Sequence, residues 1–379
     1  LDKINRIFIF AIGVATALTI PLKADSVQAA PDPWRRAIEP WAWMFPRDHG
    51  AHPDFKTEWW YFTGNLEDVQ QGRHFGYQLT LFRQGIQFTP VQTQSKWAMR
   101  DMYFGHFTIS DLAADKFHVA ERVSRGALGE AKAVQGSMDV ALGPWTIKQE
   151  TDSEQIHLAA READMAIDFQ EHPLKPLVLE GVNGLSRKAE GVGEASYYYS
   201  YPRLATQGQL RIGSKTYVVS GLSWFDHEFS TSSLGKNQVG WDWFCLQLDD
   251  RQEIMFYAMR DKSGMMDPVS EGTWVKADGT SERLLPGSFS IEKLGTWKSP
   301  KSGAIYPAGW HIVVASHAAD LTVTPSMADQ ELHLTKMGAL DYWEGACSIR
   351  GSVAQARITG VGYTELTGYS GALQVGMKE

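Results

Sequence analysis

The chain has 379 residues, with 36 Lys and Arg against 44 Asp and Glu for a net charge of −8. An acidic chain without a basic block is no nucleic-acid binder, because the phosphates must be neutralised by clustered Lys and Arg; 43% hydrophobic residues exclude a disordered chain, and two cysteines exclude a disulfide-stapled miniature. The length favours two domains over one, and 14 Trp, 13 Tyr, 17 Phe and 35 Gly point to twisted, aromatic-packed sheets with tight turns.

Residues 1–29 read as a secretory signal peptide. Lys3 and Arg6 precede the uncharged stretch Ile7 to Leu22, and Val27-Gln28-Ala29 is a small-x-small cleavage site. The stretch is shorter than the ~20 residues that span a bilayer, so the processed protein is expected in the bacterial periplasm or outside the cell, not integral to the membrane. A short helix is expected from Trp34 to Trp43, ahead of Pro46. His74 to Phe82, Ser214 to Ser220 and Trp310 to Ala315 alternate with period two, as strands with one buried face do. Pro325 to Gln330 is long enough for one helical turn. The expectation is an all-β protein with minor helix.

The chain also contains itself twice. Trp59 to Asp68 aligns without a gap on Trp241 to Asp250, each copy an aromatic strand ending in an acidic turn. A second hydrophobic strand follows in each case and closes on an arginine, Arg83 or Arg260, so both copies read as one hairpin. Duplication places a first domain at 31–203 and a second at 204–379. Domains of this kind are either sandwiches or up-and-down barrels, and a barrel of eight to ten strands can hold one small apolar ligand. Cys245 and Cys347 either pair, since export permits it, or remain two buried thiols; without a CxxC there is no case for a redox or zinc site, and no metal is expected.

The usual hydrolase signatures are missing: no nucleophile elbow, HExxH, P-loop or GxGxxG follows a strand. The densest polar cluster is Gly221 to Phe229. Alternation puts Trp224, Asp226 and Glu228 on one face and Phe225, His227 and Phe229 on the other. Two carboxylates beside an indole raise one another's pKa, and burial raises it further, which keeps a carboxylic acid protonated for proton donation. In Trp241-Asp242-Trp243 the indoles share a face and Asp242 points away, replacing Trp60 of the first copy. Glu58-Trp59-Trp60-Tyr61, His106 and Tyr197 to Ser200 are further polar groups among aromatics, and Glu344 and Glu365 stand between aromatics near the C-terminus, where they would close barrel ends.

Taken in order, Glu58-Trp59-Trp60-Tyr61, Ala195 to Ser200, Trp224 to Glu228, Trp241 to Phe244, Tyr342 to Gly345 and Gly362 to Tyr369 resemble the AttH-like family, whose members are described as predicted secreted hydrolases and are related to carotenoid 1,2-hydratase (hydroxyneurosporene synthase). The resemblance implies two lipocalin-like antiparallel β-barrels packed together. In the hydratase branch a protonated acid adds water to an isolated double bond of an acyclic terpenoid without a cofactor, with aromatic faces steadying the cation. It implies catalytic roles for Asp226, His227 and Asp242 and an apolar lipid- or terpenoid-like ligand held by Trp59, Trp60, Tyr61, His106, Tyr198, Trp224, Glu228, Trp241 and Trp243; the chain departs from that branch at Phe229. A non-catalytic carrier, an accessory of an envelope transport system, would use the same pocket.

Overall fold

Period-two alternation produces strands throughout the molecule. The computed structural model describes residues 32–89, 98–150, 153–232, 234–336 and 340–371; the expected signal peptide lies outside them. Among these residues the helical content is two three-residue 3-10 turns, Arg47–His49 and Ala315–His317. Neither expected helix forms. Residues 34–43 are irregular because Trp41 and Trp43 pack on the cluster of Phe55, Tyr197 and Phe229 while Trp34 packs separately on Phe88, so the three indoles do not share one helical face.

The strands form two large antiparallel sheets and a small hairpin. In the first, the order runs Lys116–Arg125, Asp101–Asp111, His74–Gly85, Thr57–Asp68, Lys215–Ser230, Ala195–Ile212, Met165–Pro173, Ile156–Arg161, Trp145–Gln149, Asp139–Leu142 and Ala131–Ala133. Asp139–Leu142 returns against the opposite end, touching His74–Gly85, Asp101–Asp111 and Lys116–Arg125, so the sheet curls into a nearly closed barrel. The second sheet repeats the plan: Ser281–Leu284, Glu271–Val275, Glu253–Asp261, Gln238–Leu248, Ala356–Leu366, Leu340–Val353, Ala319–Pro325, Trp310–Val314 and Phe289–Lys293. The two hairpins read from the internal repeat occupy the same place in each order. The junction expected near Leu204 falls inside the continuous strand Ala195–Ile212, and the chain passes from one sheet to the other between Ser230 and Gln238.

Each sheet buries one face on its own interior. Trp60, Phe62, Leu79, Leu81, Phe107, Trp145, Phe169 and Phe225 fill the first; Phe244, Leu246, Phe256, Trp310, Ile312 and Leu321 fill the second. The outer faces of the two sheets meet in a seam lined by Tyr61, Tyr198, Trp224, Trp243, Cys245, Met255, Tyr257 and Tyr363. Gly76 permits the close approach, since a Cβ there would lie 2.8 Å from the Cβ of Ala346.

Candidate functional site

Two polar centres are built on the strand Lys215–Ser230, one on each face, as its alternation requires. Inside the first barrel, His227 donates from Nε2 to Glu58 Oε1 at 3.0 Å and His52 Nδ1 lies 2.8 Å from the same oxygen, while Arg83 Nε reaches Glu58 Oε2 at 3.0 Å. His52 Nε2 continues to Asp48 at 3.3 Å, and Tyr199 joins His227 to His49. Burial opposes charge on Glu58, yet the imidazole hydrogen bonds and the Arg83 guanidinium hold it below the usual carboxylate range. Burial also favours the neutral form of His52, but Asp48 and Glu58 outweigh it and raise its pKa; for His227 burial wins and lowers it. The donor atoms of His52, Glu58 and His227 all lie within 4.8 Å of one another, the spacing of a metal site. Glu58 already spends one oxygen on both imidazoles and the other on Arg83, whose charge does what a cation would, so the set is complete as an ion-pair network.

The second centre lies in the seam. Asp226 is buried and accepts from Ser200 Oγ at 2.5 Å, Tyr198 O–H at 2.7 Å and Trp224 Nε1 at 2.7 Å, and Trp243 Nε1 donates to the Tyr198 oxygen at 3.2 Å. No cationic side chain is among these partners, so burial dominates and pushes Asp226 up to about 7. Ser200 Oγ, its one proton given to Asp226, also lies 3.0 Å from Glu180, which takes a hydrogen bond from Thr273 of the other sheet; burial pushes Glu180 up to about 8. Glu228 pairs with Lys188 at 3.0 Å, and that ammonium lies over the rings of Tyr198 and Tyr257.

The duplication places a second acid opposite the first. Tyr61 of the first copy corresponds to Trp243 of the second, and the two rings meet edge-on at 5.2 Å. Tyr61 stands across from Asp226 on the neighbouring strand, and Trp243 stands in the same way across from Glu365. Glu365 accepts from Trp241 Nε1 at 2.9 Å, as Asp226 does from Trp224, and burial pushes it up to about 7. On the next strands Ser200 and Glu344 are equivalent.

The seam therefore gathers Asp226, Trp59, Tyr61, His106, Tyr198, Trp224, Glu228, Trp241 and Trp243. Trp60 and His227 face the first barrel's interior, where their rings stack at 4.8 Å. Asp242 faces the interior of the second, bonded to Arg260 Nε at 2.8 Å and to Tyr369 O–H at 3.0 Å. The three residues expected to act together are thus in three places. Sequence reasoning missed His49, His52 and Glu180, which come from loops with no strand pattern, and the pairing of Asp226 with Glu365, whose signal was the repeat itself.

The fold and the paired centres define a double lipocalin-like β protein. The chain belongs to the AttH-like family, whose model matches residues 36–369. It is similar to a Nitrosomonas europaea protein described as AttH, with 33% identity, a TM-score of 0.78, and coverage of 88% of this chain and 99% of that one. Kievitone hydratase from Nectria haematococca shares the fold at 16% identity, TM-score 0.66, with 89% and 98% covered. So does CghA in complex with Sch210972, at 11% identity, TM-score 0.52, with 84% and 90% covered. No curated protein matches in sequence comparison.

Proposed function

We propose that the chain is an exported, cofactor-independent acid catalyst that holds an apolar, terpenoid-like ligand against the seam and adds water to an isolated double bond, with Asp226 as the proton donor. The observation that carries this reading is a buried carboxyl surrounded by neutral donors and aromatic rings. Asp226 keeps its proton near neutral pH and transfers it to the less substituted alkene carbon. The resulting tertiary cation faces the Trp224, Trp243 and Tyr61 rings. Water attacks it, and the proton it sheds returns to the carboxylate; one C=C π bond and one O–H bond are exchanged for a C–H and a C–O bond. Support also comes from sharing a fold with a protein named as a hydratase, and the export pattern before Ala30 supports an envelope location.

The test uses farnesol, an acyclic terpenoid with isolated double bonds, and follows the hydrate by mass spectrometry. Asp226→Asn should lower turnover by at least ~100-fold, the usual scale of acid catalysis, while tryptophan quenching shows farnesol affinity unchanged. Binding by the wild type without any hydrate would replace the catalyst with a carrier.

A further inference from the structure

Glu344 is fully buried, and among the described residues neither of its carboxyl oxygens makes a close hydrogen bond, although the Tyr61 and Tyr342 hydroxyls stand near enough to act on it. Four other buried polar atoms share that condition along the same part of the seam: Tyr61 Oη, Tyr363 Oη, Gln78 Oε1 and Thr108 Oγ1. Their closeness follows from register. Gln78 stands across from Thr63 on one side and Thr108 on the other, and Tyr61 shares the face of Thr63. On the opposing sheet Tyr363 stands across from Ala346, two residues from Glu344 and on its face, and Ala346 is the residue that packs on Gly76. The rim is tied shut by His106 with Tyr342 at 2.7 Å and by Ser110 with Gln330 at 2.7 Å.

Buried polar groups in folded proteins almost always find partners, so a cluster of unmatched ones marks a place built for something else. Burial, joined by the charge of Glu365, pushes the Glu344 carboxyl well above its ordinary range, outweighing the Tyr61 and Tyr342 hydroxyls that pull it down. In its neutral form it has one O–H to give and a carbonyl to accept with; tyrosine and threonine hydroxyls do both, and the Gln78 oxygen accepts. Such a set disfavours an anion, which the Gln78 and Glu344 oxygens would repel, and matches a neutral hydroxyl, which donates once and accepts twice.

We propose that Glu344, Tyr61, Tyr363, Gln78 and Thr108 form a hydroxyl-binding pocket in the seam that receives the alcohol group of an otherwise apolar ligand, with Glu344 as the central donor. This rests on the preceding reading of the ligand as terpenoid-like and assigns it an oxygenated end. It also gives the alcohol produced by hydration a place to be held.

The full processed chain is titrated with farnesol and with farnesene, the matching hydrocarbon that lacks the hydroxyl, and tryptophan quenching is read. The wild type should bind farnesol at least ~10-fold more tightly, the equivalent of one well-made hydrogen bond. Glu344→Leu should bind the two equally, and Glu344→Gln, which keeps a donor and an acceptor, should retain most of the preference; circular dichroism confirms that both variants fold. Equal binding by the wild type, or a preference that survives Glu344→Leu, overturns the pocket. If neither ligand binds, the terpenoid reading falls by itself, and the pocket is judged on crystals soaked with n-butanol: an alcohol oxygen between Glu344 and Tyr61 sustains it, and ordered water alone overturns it.

Discussion

Asp226 and Asp242 are the same residue type on strands of the two different sheets, and their neighbours give them opposite tasks. Asp226 meets hydroxyls and an indole but no cation, so their hydrogen bonds offset only part of its lost hydration and the neutral acid is favoured. Asp242 meets the Arg260 guanidinium, with Lys293 Nζ 3.6 Å away, and is fitted to a structural ion pair. The cysteines follow the same logic of surroundings. Cys245 faces the seam and Cys347 the second barrel's interior, on strands separated by Ala356–Leu366. Two inter-strand steps separate their backbones by roughly 9–10 Å, beyond the ~7 Å a disulfide spans, and both are unpaired. Burial pushes the Cys347 thiol up to about 12 and Cys245 well above its ordinary value. Ellman's reagent should therefore find no reactive thiol in the native protein and both in denaturant, and dithiothreitol should leave the melting temperature unchanged; a single redox-sensitive transition would contradict this.

At the scale of elements, each repeat closes its hairpin with the same device in a shifted register. In the first, Arg83 stands across from Glu58 and binds it. In the second, Arg260 stands across from Gly240, and the carboxylate has moved two residues along the same face, to Asp242. Gly368, at a φ of +72°, turns the chain so that Tyr369 comes back over this pair, its ring 3.9 Å from the guanidinium carbon. Arg260→Met should cost about 3–5 kcal/mol in urea unfolding, because it strands a buried carboxylate, and adding Asp242→Asn should recover much of that. Asp242→Asn alone should leave turnover intact, separating this pair from the chemistry at Asp226.

The hairpins were legible because a strand's two faces follow from parity, which also placed Trp224, Asp226 and Glu228 together and His227 opposite. What was not legible depends on which strand lies beside which. Nothing local to Glu344 says that Tyr61, some 280 positions earlier, will face it, and a parity rule says only that Asp242 points away from Trp243, not which interior receives it. The helix expected from Trp34 to Trp43 fails for a related reason: Trp41 and Trp43 dock together on Tyr197 and Phe229, while Trp34 docks apart from them on Phe88.

Across the whole molecule, the seam is an acid store whose protonation is linked to folding. Asp226 and Glu365 are pushed up to about 7 and Glu180 to about 8, and Glu171, inside the first barrel among Tyr77, Thr206 and Ser223, is pushed up to about 7 as well, in every case first by burial. Each holds a proton in the native state that the unfolded chain releases above about pH 4. The native state thus binds more protons between that point and the folded pKa, and stability falls as pH rises through the window. Buried His49 and His106 work the other way: burial lowers both to about 3, so their contribution is present above the ordinary histidine pKa and is lost as pH falls. The two sets oppose each other below about pH 6.5, and above it the acids act alone. The midpoint of urea unfolding should accordingly be highest in mildly acidic buffer and fall by the equivalent of a few kcal/mol between about pH 6.5 and 8.5. Glu180→Gln and Asp226→Asn, which cannot ionise, should each flatten that decline while leaving stability below about pH 5 nearly unchanged. A profile that rises through neutrality, or variants that fall as steeply as the wild type, would mean that these carboxyls ionise freely, and a proton donor at Asp226 would lose its physical basis.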